Sequence, residues 1–269
     1  MLKGLVGLIA GITVMPCFAQ HYHVNAGAVA LETSSKLLFV NGAEFATNSG
    51  FFVRMPTNNP AFAGEYTGGI SLTALSADPL APEPGHALPG AYLEVVVESV
   101  EGPAGGAISF WQRPEGEPES RRVFSVSNGT AGGTNRFNLS ESDGSPGSDP
   151  FGHIHGRNFS ASEPGLYRVG LRIIDTSVNG PNGGPLHEAS DLFYLWFQAG
   201  VLLQPILVED GTGSIIYPAV AGQTWQLEST ETLGTIWQPL GEAVAGDDRF
   251  RTVEVSPIGM RFYRLRGSP

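Results

Sequence analysis

The sequence predicts an all-β protein: an antiparallel β-sandwich, immunoglobulin-like or jelly-roll-like, followed by a small C-terminal β-sandwich module. Three observations carry this expectation. The 269 residues include 36 Gly and 20 Pro but only 15% charged residues, a composition that suits short strands joined by tight turns better than helices. Several runs alternate apolar and polar residues, as a strand with one buried face does. In "YRVGLRIID", Tyr167, Val169, Leu171 and Ile173 fall on one face, with Arg168, Gly170 and Arg172 on the other. Between such runs lie turn-forming stretches such as "SNGTAGGTN" and "ESDGSPGSDP". With 41% hydrophobic residues, the chain has enough apolar surface for a packed core.

Taken in order, residues 1–19, "MLKGLVGLIAGITVMPCFA", read as an export signal. Lys3 gives the positive start, Leu5 to Met15 the apolar stretch, and Cys17-Phe18-Ala19 a small-x-small cleavage pattern. The stretch is short for a bilayer span. Cys17 is the single cysteine, so a chain cleaved after Ala19 would have neither disulfides nor thiolate ligands. No second apolar span is expected. The protein is expected to be exported, to the periplasm, the cell surface or the medium. The net charge of −11 repels phosphate backbones and anionic membranes, which argues against a nucleic-acid partner.

The main domain is expected over 20–200. Its predicted strands are His21–Leu31, Lys36–Val40, Tyr92–Val100, Ala107–Gln112, Arg122–Ser127, Gly152–Phe159, Gly165–Asp175 and Asp191–Gln198. A boundary falls near 199–206, and the smaller β-module is expected over 204–266.

Four of the six histidines form two His-x-His pairs, His21/His23 and His153/His155. In a strand, residues two apart share a face, with β-carbons about 6.5–7 Å apart. Each pair would then present two imidazoles on one face, with Tyr22 and Val24, or Ile154, on the other. Two neighbouring strands could bring four imidazoles around one cation. Imidazole suits zinc, copper or nickel, and a tetrahedral nitrogen shell suits zinc. Surface or structural histidines are the plain alternative for such pairs. Ligation requires neutral imidazole, so metal affinity is expected to fall as pH drops below about 6.5.

Several stretches of residues 21–200 also resemble the bacterial surface-anchored "choice-of-anchor M" domain, a group that includes zinc-regulated exported proteins and an actinobacterial cell-wall-associated domain. The opening His21-Tyr22-His23-Val24-Asn25-Ala26-Gly27 is similar to the family's first strand. Gly106-Ala107-Ile108-Ser109-Phe110-Trp111 is similar to its middle block. Gly152-His153-Ile154-His155, Phe159 and Pro164-Gly165-Leu166-Tyr167-Arg168-Val169 resemble its most specific block, and Ser190 to Phe197 its final aromatic strand. The resemblance implies zinc handling at the envelope with His21, His23, His153 and His155 as ligands. The chain departs from the family pattern at Gly156-Arg157-Asn158, where an aromatic is usual, and near Lys36–Val40, where members often carry another histidine pair. The C-terminal segment resembles a small β-module of planctomycete- and verrucomicrobium-type secreted proteins. Gly222, Trp225, Leu227, Ser229, Leu233, Trp237 and Arg261-Phe262-Tyr263-Arg264 match its pattern. Such modules serve attachment or display.

Other chemistry is weaker. His187-Glu188 begins like a zincin helix, but position 191 is Asp and the flanks are Pro-rich. His187 remains a candidate extra ligand, and His86 reads as solvated. Glu141, Asp143 and Asp149 lack the spacing and the terminal Glu of a calcium loop. Four tryptophans could stack on sugars. Trp111 and Trp196 lie in apolar strands and read as core, and Trp225 and Trp237 as packing of the C-terminal module. A histidine-brace copper oxidase would need His21 as the first residue, and Phe18 and Gln20 are poor flanks for that cleavage. No nucleophile elbow or supported triad is found. The expected function is therefore non-catalytic binding of a transition metal, zinc first and copper second. A structural or adhesive surface domain, or a carbohydrate-binding module, is the alternative, with a cell-envelope component or glycan as partner.

Overall fold

Alternating side chains build two facing sheets, and the computed structural model describes them over residues 22–56, 58–80, 85–200, 204–207, 213–234, 236–255 and 261–268. The expected export signal and His21 lie outside the described residues. In chain order the strands up to Ala199 are β1 (His23–Ala28), β2 (Leu37–Phe39), β3 (Phe52–Met55), β4 (Asn58–Asn59), β5 (Glu65–Gly68), β6 (Ser71–Ala74), β7 (Leu93–Glu101), β8 (Ala107–Gln112), β9 (Arg121–Ser127), β10 (Asn135–Asn138), β11 (Arg157–Ala161), β12 (Gly165–Asp175) and β13 (Phe193–Ala199). One sheet runs β10-β7-β12-β13-β3, the other β4-β5-β11-β8-β9, and β2-β1-β6 forms a third, smaller sheet. Pairings between these strands are antiparallel except β1–β6 and β3–β13, which are parallel. The protein is all-β, a β-sandwich with a smaller β-module behind it.

The long central strand β12 spans Gly165–Asp175 and follows its alternation closely. Tyr167, Val169, Leu171 and Ile173 are fully buried, and Arg168 and Arg172 are half-buried. Rings from both large sheets meet between them: Phe110 of β8 stacks on Phe137 of β10 at 4.1 Å, and Phe159 of β11 lies 5.2 Å from Phe197 of β13. Such aromatic packing adds to the area burial that drives the two sheets together. The Tyr167 hydroxyl donates to the Glu163 carbonyl, four residues back, at 2.8 Å. Immunoglobulin-like sandwiches use this bond, the tyrosine corner, to fix an arch between strands.

The chain continues through β14 (Gln204–Leu207), β15 (Gly213–Ala219), β16 (Thr224–Thr230), β17 (Gln238–Pro239), β18 (Val244–Ala245), β19 (Arg249–Val255) and β20 (Phe262–Ser268). Here Ile215, Tyr217, Trp225 and Leu227 form a second core. The Trp225 indole N–H reaches the Val220 carbonyl at 2.9 Å, and the Arg264 guanidinium lies over Trp237 while its Nε holds Glu228 at 2.6 Å. This module does not hang from a linker alone. Phe51 bridges to Arg249, and the Phe52 ring is buried in the module's core against Phe250 at 4.6 Å.

Burial has a titratable consequence. Desolvation raises the phenols of both Tyr167 and Tyr217 above the ordinary tyrosine value. An acid whose folded value is raised holds its proton more tightly folded than unfolded. Its contribution is therefore complete below about pH 10, the ordinary value, and is lost as pH rises through the folded one. In an alkaline titration followed by tyrosine absorbance and far-UV circular dichroism, part of the seven-tyrosine signal is expected to appear late and together with unfolding. A single step near pH 10 with unchanged dichroism would contradict this.

Candidate metal centre

The first histidine of the described site stands at the head of β1. Val24 and Ala26 are wholly buried there, which turns His23 and Asn25 to the opposite face. Tyr22 packs inward, edge-on to Phe51 at 4.9 Å. The strand is clamped at this end: the Ser71 N–H donates to the Tyr22 carbonyl at 3.0 Å, and the Asn41 side chain donates to the His23 carbonyl at 2.8 Å. The ring is oriented too, with His23 Nδ1 3.2 Å from the Thr73 hydroxyl on β6. A polar partner on one ring nitrogen is what metal-ligating histidines ordinarily have.

The second pair does not lie on a strand, which corrects the expected strand Gly152–Phe159. Only Gly152 touches a ladder, bridging Ala74 of β6 through hydrogen bonds of 2.9 and 3.1 Å, and β11 begins at Arg157. The two glycines that bracket the pair explain the departure. A Cβ at Gly152 would sit 1.8 Å from the Leu139 carbonyl oxygen, so only glycine permits that approach. Gly156 has φ of +77°, a left-handed turn that breaks the extended run. Ile154 is half-buried at the edge of a cleft and does not enter the core. The His153 N–H donates to Glu141 Oε1 at 2.8 Å, and Glu141 is itself tied back through its N–H to the Phe151 carbonyl.

β6 lies between β1 and the Gly152 bridge, so the two histidine segments are one strand apart and not adjacent. Their rings nevertheless meet. His23 and His153 have centroids 4.7 Å apart, and His153 and His155 4.6 Å apart. In a tetrahedral zinc shell with Zn–N of ~2.0–2.1 Å, neighbouring ring centres lie about 5 Å apart. His153 is thus within that spacing of both His23 and His155, and imidazole donors suit zinc or copper. Among the described residues, no group of three His, Cys, Asp or Glu side chains stands ready-made around a single point. Metal entry would need the rings to turn by rotation about their side-chain bonds.

The remaining candidates have other work. His187 is buried, and its Nε2 accepts from the Leu88 N–H at 2.9 Å while Nδ1 faces the Ser35 carbonyl at 3.0 Å. The Leu88 donor fixes the neutral tautomer with its proton on Nδ1, and both nitrogens are used. His86 Nδ1 contacts the Ser76 carbonyl at 2.8 Å. Burial would push the Asp149 carboxyl up, but bonds from the Ala77 and Phe151 N–H groups and the Ser76 hydroxyl outweigh it and hold it below the usual range. Asp143 is held low by the Ser145 N–H of its own turn. These carboxylates pin loops. Trp111 and Trp225 are buried, with their indole N–H groups on Ser160 and Val220, so neither offers a flat platform to a sugar.

Sequence reasoning missed Arg157. Its guanidinium donates to the Asn138 carbonyl at 2.5 Å and side chain at 2.7 Å, and lies near the stacked rings of Phe110 and Phe137. Burial lowers it to about 10, against the opposing pull of Tyr92 and Glu141. No helix among the described residues is long and apolar enough to cross a membrane.

No protein-family model and no curated protein matches this chain. Among solved structures, it is similar to the chicken CNTN1 FN1-FN3 domains, with 16% identity and a TM-score of 0.18. The match covers 61% of this chain and 47% of that one, so it spans about half the length of the neighbour.

Proposed function

We propose that this is an exported or cell-surface, non-catalytic protein that binds a transition metal, zinc first and copper second. His23, His153 and His155 are the ligands, and His21, by its place in the sequence, is the candidate fourth. The observation that carries this reading is the meeting of His23 with a histidine pair 130 positions further along, at 4.7 Å between rings. Nothing in the core demands those side chains there, since both segments bury other residues. The Thr73 contact and the two clamps on the β1 backbone supply the outer support that metal sites use. The resemblance to surface-anchored, zinc-linked domains points the same way.

Calorimetric titration of zinc into the full chain is expected to give one site per molecule. His153→Ala combined with His155→Ala should abolish it, while His86→Ala should leave it unchanged. Tight binding that survives the double substitution, in a protein with native circular dichroism, would refute the assignment.

A further inference from the structure

Beside the histidines lies a cleft of about 370 Å³. Ile70 and Leu72 line it from the β6 side and Ile154 and His155 from the loop, and the stacked rings of Phe110 and Phe137 also border it. Arg157 lines it as well. That guanidinium takes part in no ion pair among the described residues. Its protein partners are the neutral oxygens of Asn138 and Gln112, and its buried Nε has no hydrogen-bond partner. A largely buried cation with no carboxylate in contact, only the longer-range pull of Glu141, is costly, and a pocket of this size that sets apolar side chains beside a few polar groups and one charge is the usual form of a small-molecule site.

We infer that this cleft binds a small organic carboxylate with an apolar body, the carboxylate paired with Arg157 and the body lying along Phe110, Phe137, Ile70 and Leu72. The pairing supplies a contacting anion, which Glu141 does not, through a charge-assisted hydrogen bond. The apolar walls select against inorganic anions, which gain nothing from them. The unpaired cation selects against amines of the same shape. The site goes beyond the metal reading and does not rest on it, since Arg157 and its walls stand without any bound ion.

The test uses the full chain with EDTA present, so that its result is independent of zinc. Phenylacetate, benzylamine and inorganic phosphate are titrated separately, followed by ligand-observed NMR or calorimetry. Phenylacetate is expected to bind, and the other two to bind at least about tenfold more weakly. Arg157→Gln should weaken phenylacetate by a similar factor. Because that change also removes the Asn138 bonds, a second variant blocks the cleft and keeps the arginine. A Cβ at Gly69 would meet only Asn158 Oδ1, at 3.7 Å, so Gly69→Leu is expected to fold and to fill the space. Absence of phenylacetate binding to the wild-type chain, equal binding of benzylamine, or undiminished binding in folded Gly69→Leu would each overturn the inference. Zinc titration of the same Gly69→Leu protein reads the histidine site separately.

Discussion

Asp175→Ala is expected to destabilise the fold by about 3–5 kcal/mol. The carboxylate ends β12, is buried, and accepts four backbone N–H groups: Tyr92 at 3.1 Å and Ser177 at 2.9 Å on Oδ1, Leu186 at 2.8 Å and His187 at 3.1 Å on Oδ2. Each buried donor left unpaired costs about 1–3 kcal/mol, and some will recover water, so the total falls short of the plain sum. The carboxylate also holds the return of the 176–187 loop, and with it the His187 ring that joins Ser35 to Leu88. Urea unfolding should show the loss, and amide exchange should quicken first at Leu186 and His187. Asp175→Asn is no rescue, because its amide nitrogen must face one pair of N–H donors. A loss below about 1 kcal/mol, or unchanged exchange at Leu186 and His187, would show that the loop is held by something else.

The parts of the fold that were legible in the sequence share one property: their own residues decide them. β8 and β12 have the bounds the alternation predicts, because Ile108, Phe110, Tyr167, Val169 and Leu171 each have a buried face to fill. The strands between positions 50 and 75 were not legible. β6, with Ser71, Leu72, Thr73 and Ala74, is four residues long, and its pairing is settled by β1 on one side and Gly152 on the other. No local pattern encodes partners that distant. The histidine loop was misread as a strand for a related reason. Gly152-His153-Ile154-His155 alternates like a strand, but the approach of Gly152 to Leu139 and the left-handed Gly156 depend on what lies across from them. The candidate site was legible as residue types, four imidazoles in two pairs. Its geometry, with β6 between the segments and Arg157 alongside, was not. Pro164-Gly165-Leu166-Tyr167 did hold a readable signal, since a tyrosine just after such a turn is placed to bond back to Glu163.

Phe52→Ala is expected to cost about 3–5 kcal/mol, with the loss falling first on the C-terminal module. β3 buries side chains on both faces at its start, while Arg54 further along is exposed. Val53 and Met55 face the sandwich core, whereas Phe52, wholly buried, enters the other core beside Tyr217, Trp225 and Phe250. A strand of the first unit thus supplies a central ring of the second, and Trp196 packs there beside it. The polar contacts at this junction are the backbone bonds of the Phe51–Arg249 bridge, Phe52 N–H to the Asp248 carbonyl at 3.2 Å and Phe250 N–H to the Gly50 carbonyl at 3.0 Å, together with Arg249 Nη1 to the Ser49 carbonyl at 2.8 Å, Arg54 Nη1 to the Ala221 carbonyl at 3.2 Å, and the Tyr22 hydroxyl to Asp248 at 3.2 Å. Bonds of that kind contribute about 0.5–1.5 kcal/mol each, less than the cavity that a missing phenyl ring leaves. Limited proteolysis of Phe52→Ala should therefore release fragments cut beyond Ala199 well before the sandwich is attacked, and thermal unfolding should separate into two steps. Leu233→Ala, at a side chain 62% exposed, is the matched control and should change little. If Phe52→Ala unfolds in one step at the wild-type midpoint, the ring does not hold the units together. The polar junction would then carry more of the coupling than its geometry suggests. The same substitution tests whether the module supports the histidine site. Tyr22 precedes the proposed ligand His23 and reaches Asp248 across this junction, so, if the histidine proposal holds, a module loosened at Phe52 should also lower zinc affinity while every imidazole is left in place.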